Sequence, residues 1–162
     1  MKQHLLLSCA ALGLSMGQVQ AQDQSTELNA YFETTFNEAL KSSPESQSFL
    51  GIKENYDKWD DPSTAQALKD YVQGQNAVAD MQLRFSLENL DAQAQLSYRL
   101  FEYNGQRDAR AFAFRHNGYL FNQMFGAQSG LPAFLINIHR IADPSDAKAY
   151  IARLKGLSLI HI

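Results

Sequence analysis

The sequence predicts an all-α protein, an irregular array of several helices. Apolar side chains recur every three or four residues in several segments, which is the spacing of one helical face. Ser, Asp, Pro and Gly separate these segments in the order in which helices begin and end. No segment alternates apolar and polar residues convincingly enough to predict a strand. The ten Phe, seven Tyr and single Trp need burial, so we expect an ordered core.

The first 21 residues have the pattern of an export signal. Lys2 precedes an uncharged, Leu- and Ala-rich run over residues 5–16, and small residues end at Ala21. The run is too short to span a bilayer as a helix. We therefore predict a signal peptide over residues 1–21, cleavage near Ala21, and a periplasmic or secreted mature protein. Cys9 leaves with the leader, so the mature chain has no thiol for a disulfide or a metal.

The overall charge is mildly acidic, with a formal net value of −3. Such a balance gives no electrostatic reason to expect nucleic acid or an anionic membrane as a partner. No later apolar segment approaches the 18 or so residues of a transmembrane helix, so we expect none.

The first helix of the mature chain is expected to begin at a cap on Ser25 or Thr26 and to end at residues 42–44. Its apolar stripe consists of Leu28, Phe32, Phe36 and Leu40. A short helix over residues 45–50 is expected to follow. Gly51 comes next and suits a C-terminal cap.

Residues 55–62 are expected to form a loop, and residues 61–63 to begin the next helix. Asp is a favoured cap, and Pro is favoured at the first helical position. This helix is predicted from Thr64 to about Phe85. Gly74 lies inside it, and we expect a close helix–helix contact there, at a cost of about 1 kcal/mol relative to Ala. The predicted inner face consists of Leu68, Tyr71, Val72, Val78, Ala79, Leu83 and Phe85.

A further helix is expected to start at Ser86 or Asp91, both candidate caps, and to continue to about Ala113. Asn104-Gly105 is an alternative end, because this pair favours positive φ. The predicted stripe consists of Leu96, Leu100, Tyr103 and the stem of Arg107.

The chain after Arg115 is predicted to be irregular, because Gly, Asn and Ser interrupt its apolar residues. A short helix is expected after Pro132, through Phe134, Ile138 and Ile141. Residues 143–145, Asp-Pro-Ser, predict the start of the last helix. Its buried face is expected to consist of Ala147, Tyr150, Ile151 and Leu154.

The histidines form no pattern of metal ligands. His4 lies in the leader and His161 in the last six residues, while His116 and His139 are far apart in the sequence. A helical zinc signature places two His four residues apart around a Glu, and no His here is followed by Glu. We interpret His116 and His139 as satisfied polar residues near the surface of the core.

Other residues are equally uninformative about chemistry. Asp57, Asp60 and Asp61 have the spacing of a cation site but lack the Gly and the final Glu of a calcium loop, so a solvated loop with a helix cap is favoured. Ser129 lacks the first Gly of a nucleophile elbow. No phosphate-binding loop or dinucleotide fingerprint is present. We therefore assign no catalytic, cofactor-binding or metal-binding residue.

Three segments resemble one known family. They are residues 121–135 (FNQMFGAQSGLPAFL), residues 146–154 (DAKAYIARL), and residues 43–46 (SPES) with residues 50–52 (LGI). All are similar to segments of the bacterial family catalogued as domain of unknown function 885. The resemblance covers most of the mature chain in the expected order.

Members of this family are typically exported, largely helical and several times longer than this chain. They are similar to zinc-dependent peptidases that carry a His-Glu … Pro-Gly-His type motif in the C-terminal half. The resemblance therefore implies a metal-assisted hydrolase in which zinc activates water and the Glu acts as general base. None of those residues occurs here, so we expect residues 22–156 to be the N-terminal portion of a larger helical, metallopeptidase-like fold. We predict that this portion alone is inactive.

The last six residues, 157–162, resemble one reading frame of a transposon-end sequencing adapter. We interpret them as a non-native read-through tail, and the natural sequence as departing from this one near Gly156.

The predicted function is thus that of the N-terminal part of an exported metal-dependent peptidase or hydrolase. Zinc is expected in the full-length protein only, and the expected partners are the missing C-terminal part and a peptide substrate. The alternative is a small periplasmic helical protein that binds a partner without catalysis.

Overall fold

The structure is a computed structural model that describes residues 23–160, with side chains to residue 157. The predicted leader, Cys9, the cleavage site and His161 lie outside the described residues. The described chain is helical, and no strand occurs within residues 23–160. The all-α prediction is therefore confirmed.

Six α-helices follow one another along the described residues. Helix α1 covers residues 23–40 within the described range. The others are α2 (Pro44–Phe49), α3 (Thr64–Arg84), α4 (Ala92–Phe112), α5 (Ala127–Asn137) and α6 (Pro144–Ile160), with a 3₁₀ turn at Leu87–Asn89 before α4. Among these helices, none combines the length and the apolar character that crossing a bilayer requires.

The chain divides into two compact units. Within the described residues, unit 1 comprises residues 23–35 and 71–110, and unit 2 comprises residues 36–70 and 111–160. Helices α1, α3 and α4 each contribute residues to both units.

Unit 1 has a conventional apolar core. Its buried members are Leu28, Met81, Phe85, Leu90, Ala94 and Tyr98. Tyr31 packs against this cluster and donates a hydrogen bond of 2.6 Å from its hydroxyl to the Ala77 carbonyl. Burial of these side chains is the main stabilising contribution in unit 1.

The helix starts that were expected at Asp caps are confirmed for α4 and α6. Asp91 caps α4 by accepting a 2.9 Å hydrogen bond from the Ala94 amide, whereas the cap of α2, Ser43, was not predicted. The Asp143 carboxylate accepts from the amides of Ser145 and Asp146 at the start of α6. Gly51 follows α2 with φ 76°, as predicted.

Two helices start earlier than expected, and one has a different cap. Residue 23 is already helical, so Ser25 lies inside α1, where its hydroxyl accepts from the Asp91 amide. Helix α3 begins at Thr64 as predicted, but the Ser63 hydroxyl caps it by accepting from the Gln66 amide, and Pro62 lies outside the helix. Helix α5 begins at Ala127, so Pro132 lies inside this helix.

The inner faces of α3 and α4 differ from the predicted ones. In α3, Leu68, Val72 and Leu83 are exposed, and Met81 is buried instead. In α4, Leu96, Leu100 and Tyr103 are exposed, while Ala94 and Tyr98 are buried. Each helix carries apolar residues on two faces, and tertiary packing selects one of them.

Gly105, not Gly74, is the position where two helices come close. A Cβ added at Gly105 would lie 2.5 Å from Cγ2 of Val78, whereas one at Gly74 would meet nothing within 4 Å. The prediction of a close contact at Gly74 was therefore wrong. Helix α4 continues past Asn104-Gly105 because this glycine packs against α3.

Candidate functional site

Unit 2 is built around a fully buried arginine. Arg153, in α6, has no solvent exposure. Its Nε donates to the Lys58 carbonyl at 2.9 Å. Its Nη2 donates to the Ser48 hydroxyl at 2.9 Å and to the Pro44 carbonyl at 3.3 Å, and Nη1 contacts Nδ1 of His139 at 3.0 Å. One guanidinium thus joins α6 to α2, to the loop after α2 and to the end of α5.

Aromatic rings surround the same guanidinium. Its Cζ atom lies 4.9 Å from the ring centroid of Phe134, 5.2 Å from that of Tyr56 and 5.5 Å from that of Trp59. The negative face of an aromatic ring attracts such a cation, most strongly where water is absent. Trp59 also donates from Nε1 to the Arg153 carbonyl at 2.9 Å. A Cβ at Gly156 would lie 3.2 Å from Trp59, so a small residue lets α6 approach this ring.

No carboxylate in the described residues pairs directly with Arg153, whose hydrogen-bond partners are all neutral. Burial lowers the pKa of its guanidinium, while the more distant charges of Glu45, Asp57 and Asp60 oppose that shift. A buried charge is costly unless polar groups replace its water. The carbonyls, the hydroxyl and the rings provide that replacement here.

His139 is the second buried polar residue of this cluster. Its Nδ1 faces an arginine, which can only donate, so Nδ1 is the acceptor and Nε2 carries the proton. Nε2 then donates to the Asp146 carbonyl at 3.2 Å. The Tyr56 ring stacks on the imidazole at 4.1 Å between centroids, and the Tyr150 ring meets it edge-on at 5.2 Å. Burial is the main reason that the pKa of His139 is lowered.

Asp146 completes the cluster at the first turn of α6. Its buried carboxylate accepts from Lys53 Nζ at 2.7 and 2.8 Å and from the Ala142 amide at 2.9 Å. The Lys53 hydrogen bond is the largest cause of the lowered pKa of this carboxyl. The charge at Asp146 is therefore fully engaged within unit 2.

The Asp cluster of the loop has a structural role. Asp60 accepts from the Ser43 hydroxyl at 2.8 Å and from the Glu45 amide at 2.9 Å, at the start of α2. Asp61 accepts from the Ser63 amide before α3. The pKa of Glu45 is raised, mainly because burial disfavours its charged form. Asp60 thus ties the loop to the start of α2, while the cap of α3 is Ser63 and not the expected Asp61.

A cavity of about 420 Å³ lies beside the cluster in unit 2. Its lining residues are Ser48, Phe49, Leu50, Gly51, Lys53, Tyr56, Asn137, Ile138, Arg140 and Ala142. This volume is within the range of about 300–1,000 Å³ that is typical of ligand pockets. Several lining residues, including Ser48, Lys53 and Tyr56, also contact Arg153, Asp146 or His139.

The described residues do not fit a zinc site. No group of three or more His, Cys, Asp or Glu side chains within residues 23–160 is arranged to hold a metal. His116 is exposed, and both ring nitrogens of His139 are engaged by Arg153 and Asp146. His139 is a hydrogen-bonded polar residue, and it is buried within unit 2.

The apolar pattern of the sequence did not predict the burial of Arg153, and it placed the inner face of α6 wrongly. Ile151 and Leu154, which were expected to be buried, are about half exposed, whereas Asp146 and Arg153 are buried. A signal was present, because Asp146, Tyr150 and Arg153 recur at helical spacing on one face. A stripe of this composition does not predict a buried face, since charged residues are rarely fully buried unless paired.

These features define an all-α protein with one apolar unit and one unit organised by a buried arginine. The chain belongs to the family described as "Bacterial protein of unknown function (DUF885)", whose model matches residues 44–160. This match covers most of the chain and confirms the resemblance. No curated protein and no solved structure matches the chain.

Proposed function

We propose that this chain is the N-terminal, non-catalytic part of an exported metal-dependent peptidase or related hydrolase. The observation that carries the proposal is membership in the family over residues 44–160. The likeness of that family to zinc peptidases then supplies the class of reaction. Export follows from the leader pattern of residues 1–21, with cleavage near Ala21 and a periplasmic or extracellular location.

In this proposal the metal belongs to residues that follow this part of the chain. The described residues hold no group of three or more metal ligands, so the proposal does not assign metal binding to them. Their role is to bind and orient substrate, which raises the rate by holding the reacting groups together.

The cavity of unit 2 supports a substrate-binding role. Its volume is sufficient for part of a peptide. Its walls combine apolar side chains such as Phe49 and Ile138 with polar ones such as Asn137 and Arg140. The hydrogen bonds of Arg153 hold the segments that carry these residues, so the walls are preorganised.

Sequencing the locus beyond Gly156 by a long-read method is the first test. The proposal expects the reading frame to continue for several hundred codons and to encode a His-Glu … His motif. That frame would then be expressed in full, its zinc content measured, and peptide hydrolysis assayed with and without a chelator. A natural stop near residue 162, or a full-length protein that neither binds zinc nor cleaves peptides, would contradict the proposal.

One observation favours the alternative, a small helical protein that binds a partner without catalysis. Between α4 and α5, six apolar side chains are more than half exposed: Phe114, Tyr119, Leu120, Phe121, Met124 and Phe125. Exposed apolar patches often mark interaction sites. A natural stop at this length would make this alternative the working hypothesis.

A further inference from the structure

The two hydrogen bonds of His139 fix its protonation state. Nδ1 accepts from Arg153 Nη1 at 3.0 Å, and the opposite nitrogen, Nε2, donates to the Asp146 carbonyl at 3.2 Å. A second proton can add only to the Nδ1 lone pair. That proton would face an arginine N–H, so two donors and two positive charges would lie about 3 Å apart.

The charges around His139 disfavour a second proton on balance. Arg153 and Lys53 are the cations that face it, and the Asp146 carboxylate is the one acid that opposes them. That carboxylate is already engaged by Lys53 at 2.7 Å. Tyr56 stacks on the imidazole ring and Tyr150 meets it edge-on. Burial and the two cations together favour the neutral form of the imidazole.

The same hydrogen bond holds several parts of unit 2 together. His139 follows α5, Arg153 belongs to α6, and Arg153 also binds Pro44 and Ser48 of α2. Ser48 and Tyr56 line the cavity, and so do Ile138 and Arg140, which flank His139 in the sequence. Loss of the His139 contact would therefore affect both the docking of α6 and the shape of the cavity.

We propose that the hydrogen bond between His139 and Arg153 is a proton-sensitive latch. Proton uptake at His139 Nδ1 breaks this bond and repels the guanidinium, which loosens α6 from α2 and reshapes the cavity. At neutral pH the latch is closed, and acidification opens it. The inference does not depend on the proposed peptidase activity, because it concerns the contacts of residues 44–153 alone.

Trp59 provides a direct reporter of the latch. It is the only tryptophan of the chain, and it donates to the Arg153 carbonyl while facing the guanidinium. Trp59 emission would be recorded from pH 8 to pH 4 in the unaltered chain. We expect one sigmoidal change below the ordinary histidine pKa of about 6.5, with far-UV circular dichroism retained.

Two histidine variants make the test specific. His139→Gln keeps hydrogen-bonding capacity but cannot be protonated, so its Trp59 emission should stay flat through the same range. The matched control is His116→Gln, at an exposed histidine of unit 2, and it should keep the transition. Both variants retain Glu45, whose carboxyl has a raised pKa. Any change in Trp59 emission caused by protonation of Glu45 would therefore be seen in both variants.

An NMR titration of the imidazole carbons in the unaltered chain gives an independent readout. The proposal requires the His139 midpoint to coincide with the Trp59 midpoint and to lie below 6.5. This comparison of the His139 and Trp59 midpoints tests the latch even if His139→Gln does not fold. A transition that persists in folded His139→Gln with the midpoint and amplitude of the unaltered chain, or a His139 titration without any change at Trp59, would overturn the latch.

Discussion

At the scale of single residues, the unusual feature of this protein is that its most buried large side chain in unit 2 is an arginine. Arg153 has several neutral acceptors and three facing rings in place of a carboxylate. Hydrogen bonds to a charged group contribute about 1.5–3 kcal/mol each, and an orphaned buried acceptor costs about 1–3 kcal/mol. The guanidinium is therefore expected to contribute strongly to the stability of unit 2.

Replacement of this side chain by an apolar one of similar length tests that expectation. Arg153→Met should lower the free energy of unfolding by about 3 kcal/mol or more, because four acceptors lose their donor. Arg153→Lys should be nearly as harmful, since an ammonium cannot reproduce the planar fork. Urea unfolding followed by Trp59 emission measures both changes.

The matched control for these variants is Arg140→Met. Arg140 is exposed, so its replacement should change stability by no more than about 0.5 kcal/mol. Equal effects at Arg153 and Arg140 would contradict the central role of the buried guanidinium.

A second prediction concerns how the stability contributed by the Asp146 carboxylate depends on pH. The Lys53 contact lowers the pKa of this carboxyl in the folded state. Its contribution to stability is therefore present above the unfolded pKa and is lost as the pH falls through the folded pKa. Asp146→Asn should be less stable than the unaltered chain at pH 7, and the difference should shrink in strong acid. Urea midpoints at a series of pH values test this, with the exposed Asp108→Asn as the control. A constant difference at every pH would count against the assignment.

At the scale of elements, helices α3 and α4 pack through faces that the spacing of apolar residues in the sequence did not predict. Helices α3 and α4 each present two apolar faces, and the buried faces are those that contain Met81 and Tyr98. Gly105 of α4 is the point of close contact with Val78 of α3. A glycine inside a helix is intrinsically unfavourable by about 1 kcal/mol relative to Ala, so packing must offset this cost at Gly105.

Two glycine-to-alanine variants, one in α3 and one in α4, should change the stability of the protein differently. Gly74→Ala should stabilise the protein by about 0.5–1 kcal/mol, because nothing lies within 4 Å of the added Cβ. Gly105→Ala should be neutral or destabilising, since its Cβ would lie 2.5 Å from the stiff side chain of Val78.

Thermal unfolding followed by circular dichroism measures both changes. Addition of Val78→Ala to Gly105→Ala should reduce the steric penalty, which a double-mutant cycle would detect. Equal stabilisation by the two single variants would show that the helices do not approach at Gly105.

At the scale of the whole molecule, the segment between α4 and α5 exposes large apolar side chains that another surface would be expected to cover. The segment between α4 and α5 exposes Tyr119 by 89% and Phe125 by 83% of their surfaces. Large contiguous apolar patches are uncommon on monomeric soluble proteins. Both the proposed larger hydrolase and the alternative binding protein predict that another surface covers this segment.

This exposure predicts that the chain by itself binds the dye ANS and associates at high concentration. The double variant Tyr119→Ser/Phe125→Ser should reduce both effects, because it removes the two most exposed aromatic side chains of this segment. Stability should change by no more than about 0.5 kcal/mol, since neither side chain contributes to a core. Dye fluorescence and sedimentation velocity provide the measurements. Leu83→Ser, at an exposed site in unit 1, is the control, and an equal loss of dye binding there would contradict the assignment to this segment.

The sequence by itself determined the helical class, the family and most helix boundaries. The helical class and the helix boundaries depend on local signals, namely the spacing of apolar residues and the caps at Asp91 and Asp143, whereas the family follows from the resemblance of whole segments to its members. Such signals act within a few residues along the chain, so they can be recognised without the fold. The short helix before Gly51 follows from the same reasoning.

Only the tertiary structure decided which faces are buried and which polar residues form the cluster. Arg153 is stabilised by acceptors from Pro44, Ser48 and Lys58, about a hundred positions earlier in the chain. A buried charge is tolerated only where such acceptors converge on it, and their convergence is a property of packing. Composition and periodicity treat an arginine as a surface residue, so the centre of unit 2 could be recognised only once the helices were in place.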